Sequence, residues 1–204
     1  KNYKEPSRVV IKSIIDAFSN GQKKEAIIEI EMLIKQYPLA PLLLNVVGSF
    51  YKSTGQLETA VMRFKHALVL NSKYAEVHYN LGITLRELGQ IEEAIKSYQN
   101  ALSINNSYPN VHYNLGNIFL SLEQFDDAIK HLKLAVVFNP KFAQAYNNLG
   151  LAYKKIENDI NAAINFDKAL DIKPDYAEAA NDRGVIYQNI GDYENAIKYY
   201  ERAL

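Results

Sequence analysis

Gly48, Gly82, Gly116, Gly150 and Gly184 lie 34 residues apart along this chain. Two alanine series keep the same step: Ala60, Ala94, Ala128, Ala162 and Ala196, and Ala67, Ala101, Ala135, Ala169 and Ala203. Small residues in one register over so much of the sequence define an internal repeat. A repeat of this length argues against a single globular core, because each copy buries its apolar face only against its neighbours. Numbered so that the glycine falls at position 8, the copies begin at Ser7, Pro41, Ala75, Pro109, Ala143 and Ala177.

Each copy reads as two helices, A and B. At about 100° per residue, positions 4, 7, 8 and 11 of helix A share one arc, which is expected to pack on helix B. Positions 2, 5, 6, 9, 12 and 13 lie on the opposite arc. The spacing predicts helices over 7–19 and 22–36, 41–53 and 57–70, 75–87 and 91–104, 109–121 and 125–138, 143–155 and 159–172, and 177–189 and 193–204. The small residues mark close approach between helices, and Phe64, Tyr98, Leu132, Phe166 and Tyr200 at position 24 fill the space between them. Gly21, Gly55, Gly89 and Gly191 suit the left-handed end of helix A. Glu123 and Glu157 stand there instead, at a cost of about 1 kcal/mol, so looser turns are expected at both. Pro38, Pro140 and Pro174 stop helix B, and Tyr74, Tyr108, Phe142 and Tyr176 close their copies with a packing role.

The copy Ala75–Tyr108, AEVHYNLGITLRELGQIEEAIKSYQNALSINNSY, resembles the tetratricopeptide repeat in its period and small-residue pattern. The resemblance implies an all-α, right-handed superhelical solenoid of antiparallel helix pairs. Residues 1–40 are its degenerate first repeat, with Ile14 at the glycine position and Ser13 at the leucine position. Residues 41–204 are the array proper, as 41–74, 75–108, 109–142, 143–176 and a truncated 177–204. The chain starts without Met and stops inside a helix, as expected of a piece of a longer protein. The apolar first repeat and the last helix are expected to leave faces uncovered, giving a homodimer through the solenoid ends at residues such as Ile28, Met32, Ile197 and Tyr200. Arg183 interrupts the leucine series at position 7 and needs a partner or a route to solvent.

In this family the arc of positions 2, 5, 6, 9, 12 and 13 lines a concave groove, so the resemblance places the binding residues there. Position 5 supplies Asn45, Tyr79, Tyr113, Asn147 and Asn181, and position 6 supplies Asn80, Asn114, Asn148 and Asp182. Position 9 adds Ile83, Asn117 and Leu151, and position 12 adds Arg86 and Lys154. An asparagine amide offers a donor and an acceptor together, which matches a peptide backbone whatever its sequence. Asn80, Asn114 and Asn148 resemble the asparagine ladder in the repeat domain of the protein O-linked N-acetylglucosamine transferases, which holds extended peptides; Val46 and Asp182 depart from it. Their amides are expected to project into the groove, free or bound to a guest backbone, with bonding to neighbouring backbone or side chains as the competing use. Tyr79 and Tyr113 are open to two readings, stacking on a client or packing on neighbouring repeats. Lys52, Arg86, Lys154 and Lys155 are open to two readings, a solvated rim or some affinity for acidic clients.

Other chemistry finds little support. Lys plus Arg and Asp plus Glu are both 23, which makes no electrostatic case for nucleic acid or an anionic membrane. The chain has no Cys, hence no thiol nucleophile, and no apolar run of the roughly 18 residues a membrane span needs. The N-terminus KNYKEPSRVV does not read as a signal peptide, and a cytoplasmic location is expected. No phosphate-binding, nucleophile-elbow or zinc-protease motif occurs. Glu92 and Glu93, and Asp126 and Asp127, open helix B where carboxylates favour its dipole. His78 and His112 sit at position 4 and read as packing residues, while His66 and His131 show no partner pattern; neither a metal nor a cofactor is expected. The leading reading is a non-enzymatic protein-interaction module that binds a peptide or helix in its concave groove. The alternative is the substrate-recruiting repeat arm of a larger enzyme, such as a glycosyl- or sulfotransferase.

Overall fold

The structure, a computed structural model, describes residues 6–204; residues 1–5 of the first repeat lie outside it. The described residues form α-helices and no strand. They are α1 (Arg8–Ser19), α2 (Lys23–Gln36), α3 (Pro41–Ser53), α4 (Leu57–Leu70), α5 (Ala75–Glu87) and α6 (Ile91–Ile104), followed by α7 (Pro109–Ser121), α8 (Phe125–Phe138), α9 (Ala143–Lys155), α10 (Asp159–Ile172), α11 (Ala177–Asn189) and α12 (Tyr193–Ala203). Each odd-numbered helix is a helix A and each even-numbered one a helix B, with limits that follow the 34-residue register.

The turn within each pair follows from backbone hydrogen bonding. After α3, the Gly55 N–H donates to the Lys52 carbonyl at 3.0 Å and the Gln56 N–H to the Tyr51 carbonyl at 2.9 Å, with Gly55 at φ 78°. This is the Schellman arrangement that satisfies the orphan carbonyls of a helix end. The expectation of looser turns at the two glutamates is corrected here. Glu123 and Glu157 both adopt φ 58°. The bonds that close their turns, Gln124 N–H to the Phe119 carbonyl at 2.8 Å and Asn158 N–H to the Tyr153 carbonyl at 2.9 Å, match the glycine-bearing ones. The hydrogen bonds hold the left-handed residue in place, so its strain is absorbed and not released as disorder.

The helices group into two compact units, one up to Asn106 and one from Ser107 to Leu204. In the first, α1 packs on α2, α3 on α4 and α5 on α6, and successive pairs join through α2 with α3 and α4 with α5. In the second, the pairs α7 with α8, α9 with α10 and α11 with α12 join through α8 with α9 and α10 with α11. Helices A of adjacent repeats also touch, as α1 with α3, α3 with α5 and α7 with α9. The glycine of each full repeat lies under the position-24 side chain. A Cβ built on Gly82 would stand 2.6 Å from Tyr98 Cε1, and one on Gly150 2.7 Å from Phe166 Cε1. In the degenerate repeat, Ile14 takes the glycine position and packs in one core with the shorter Ile30 at position 24; both are fully buried. Positions 3 and 10 are also buried throughout the full repeats, as at Leu43, Val77, Val111, Ala145 and Ala179, and at Phe50, Thr84, Ile118, Ala152 and Ile186.

Candidate functional site

Position 6 is a junction between neighbouring helices A. In the N-terminal unit, Asn80 Nδ2 on α5 donates to Asn45 Oδ1 on α3 at 2.9 Å. Asn45 Nδ2 in turn donates to Glu76 Oε1 at 3.3 Å. Burial and the nearby Glu76 carboxylate push the Tyr74 hydroxyl pKa up, while a hydrogen bond with Asn45 works against them. In the C-terminal unit, Asn148 Nδ2 on α9 donates to Asn117 Oδ1 on α7 at 2.7 Å, and Asn147 Nδ2 to Asn148 Oδ1 at 3.3 Å. Lys154 Nζ on α9 reaches Asp182 Oδ1 on α11 at 2.9 Å. Each of these position-6 side chains is thus gripped by the preceding helix A, from position 5, 9 or 12.

At Asn80 and Asn148 the competing use is taken up in part, since each amide forms a rung with a neighbouring helix A. A buried helix-helix seam favours such pairing, since an unpaired amide there costs about 1–3 kcal/mol. Asn45, Asn114 and Asn147 are only 4, 7 and 4% exposed, so they belong more to the seam than to the surface. The Asn147 Oδ1 is buried without a hydrogen-bond donor. Ile83, Arg86, Leu151, Lys154 and Asp182 are half-buried and Asn181 is exposed. Asn181 and Asp182 border an open hollow of about 690 Å³ with Glu178 and Tyr200. Of the tyrosines, Tyr113 packs on Phe142 with ring centroids 4.7 Å apart, and Tyr79 lies 6.3 Å from Tyr98. Tyr113 thus packs on the residue that closes its own repeat. Lys52 is half-buried and Lys155 exposed, while Lys154 is neutralised by Asp182. Ile28, Met32 and Ile197, expected at a dimer contact, are exposed, and Tyr200 is half-buried.

Sequence reasoning missed one cluster. His131 has a partner after all: its Nδ1 lies 3.0 Å from His112 Nδ1. Burial chiefly, and then His112, lower the His131 pKa from its ordinary 6.5 to about 4. The signal was available, because position 4 of helix A faces helix B and His131 adjoins the position-24 anchor Leu132. Arg183 also finds its partner. Its Nε donates to Asp167 Oδ1 at 2.9 Å, and its guanidinium lies 4.1 Å from the centre of the Tyr187 ring. No group of three or more potential metal ligands occurs among the described residues, and no helix there is long and apolar enough to cross a membrane.

The sequence matches the TPR repeat over residues 48–87, 84–122 and 116–157, and the tetratricopeptide repeat over 143–176 and 177–204. The chain belongs to the tetratricopeptide repeat family. No curated protein matches it by sequence. Among solved structures this tetratricopeptide repeat protein is similar to MamA, at 26% identity and a TM-score of 0.73, over 77% of this chain and 92% of that one. It is similar to YrrB, described as a TPR protein with an unusual peptide-binding site, at 23% identity and a TM-score of 0.73, over 85 and 90% of the two chains. The C-terminal part of a TPR protein from Cytophaga hutchinsonii superimposes at a TM-score of 0.78 with 20% identity, over 95 and 77%. The last two likenesses establish fold alone.

Proposed function

We propose that this tetratricopeptide repeat protein is a non-enzymatic interaction module that holds an extended peptide against the inner arc of its helices A. The observation that carries this reading is the unused capacity of the rungs. An asparagine amide has two N–H donors and two acceptor lone pairs. Asn148 spends one N–H on Asn117 and one lone pair on Asn147. Asn80 spends one N–H on Asn45. Each half-buried amide keeps a donor and an acceptor, and the rung fixes their direction. A guest backbone needs that combination, and pre-orienting the amides removes much of the entropy loss on binding. The peptide-binding site of YrrB is a precedent on this fold. The half-buried Ile83 and Leu151 supply apolar contact beside the amides in the two units.

Each bond to a guest contributes about 0.5–1.5 kcal/mol, so several must act together. The test is selection of an extended-peptide library on the whole chain, followed by the Asn80→Ala, Asn148→Ala double variant. Selected peptides are expected to bind roughly tenfold or more weakly to the variant, with helicity retained. Peptides that bind the variant undiminished, or a library that yields no binder, overturn the reading.

A further inference from the structure

The repeat Pro109–Phe142 is unlike the others at the positions that face each other across its hairpin. Positions 4 and 23 hold Leu44 and Arg63, His78 and Ser97, Tyr146 and Asn165, and Ala180 and Tyr199 elsewhere, but His112 and His131 here. Their rings lie 5.3 Å apart between centroids, inclined by 35°. Phe138 stacks on His112 and Phe119 on His131. His112 is 5% exposed and His131 is half-buried, so the pair reaches solvent through His131.

We propose that His112 and His131 chelate a divalent transition-metal ion through their facing Nδ1 atoms, with Cu(II) preferred. A metal–imidazole bond is about 2.0–2.1 Å, so two nitrogens on one ion stand about 2.9 Å apart at a right angle and about 3.4 Å at the tetrahedral angle. The observed 3.0 Å lies inside that window. The antiparallel helices α7 and α8 hold both rings in place, so little freedom is lost on binding. In the metal-free pair the two nitrogens share one Nδ1 proton. Binding requires both lone pairs, so that proton leaves Nδ1 and an Nε2 takes one up from solvent, keeping both rings neutral. Asp127 and Lys130 are the charged groups that act on His131, and water completes the coordination. Imidazole ligands and the Irving–Williams order favour Cu(II) over Ni(II) and Zn(II).

The test is titration of the whole chain with Cu(II) chloride at neutral pH in a non-coordinating buffer, read by electron paramagnetic resonance. The expected result is one bound equivalent with the hyperfine pattern of two imidazole nitrogens. His112→Leu and His131→Asn insert side chains that other repeats already carry at these positions, as Leu44 and Asn165. Each is expected to weaken binding roughly tenfold or more with unchanged circular dichroism, and His66→Ala to leave it unaltered. His131→Ser, after Ser97, gives a second replacement should the asparagine variant fold poorly. A single-nitrogen signal, or binding that survives loss of either ring, overturns the proposal.

Discussion

At Gly116 an added Cβ would stand 2.6 Å from Leu132 Cγ, closer than real side chains approach. Gly116→Ala is therefore expected to cost about 1–3 kcal/mol through overpacking. Leu132→Ala alone opens a cavity at a cost of about 2–5 kcal/mol. The double variant should cost less than the sum of the two, since the new methyl fills part of that cavity; strict additivity in urea denaturation would show that the two sites do not share a contact. The left-handed cap residue offers a second comparison. Glu123 is already at φ 58°, so Glu123→Gly removes about 1 kcal/mol of strain and returns about 0.4–1 kcal/mol as freedom of the unfolded chain. Its thermal midpoint should stay level or rise slightly. Gly89→Val, at φ 74°, should fall by about 1–2 kcal/mol. Equal losses for both variants would place the strain elsewhere.

Between elements, charge and protonation join the helices of the C-terminal unit. His131 is neutral in the fold at a pH where its unfolded form begins to protonate, because its folded pKa is lowered from 6.5 to about 4. The unfolded state then binds more protons, so stability is lost as pH falls from about 6.5 towards 4. His131→Asn is expected to flatten that part of the profile, and an unchanged acid slope in the variant would exclude the pair as its source. On α11, Arg183 stands where the three preceding repeats carry leucine, and it draws on Asp167 of α10. Its side chain is 13% exposed while that of Asp167 is 42% exposed. Asp167→Ala strands a mostly buried cation and should cost about 1.5–3 kcal/mol, whereas Arg183→Leu leaves a carboxylate that water can reach and should cost less. The reverse order in thermal denaturation would contradict this. Arg183's need for a partner was legible in the sequence, because a charge broke an apolar series. The His112–His131 contact was not drawn from it, because the 34-residue period directs attention to residues one repeat apart, while these lie 19 apart on the two helices of one hairpin.

On the scale of the whole chain, the period made the helix limits legible because the five copies from Pro41 on share their small residues, and most share the cap glycine and the closing aromatic. The arc of positions 5, 6, 9 and 12 was less legible. Helical rotation places Asn80 and Asn148 on that arc, but it does not state that Asn45 and Asn117 on the preceding helix reach their amides. A side chain's choice between a guest and a neighbouring helix depends on packing between repeats, which a single repeat's pattern does not contain. The same neighbour-to-neighbour order governs how damage spreads. Within each unit, every well-packed pair of helices belongs to the same or adjacent repeats, so stability approximates a sum of local terms. Gly116→Leu, a larger overpacking than alanine, should therefore loosen α7 and α8 first and their neighbours α9 and α10 next. Hydrogen exchange should show lost protection there, with α1–α4 keeping theirs at the same denaturant concentration. Uniform loss across both units would mean that the chain opens as one cooperative body and that nearest-neighbour packing does not set its stability.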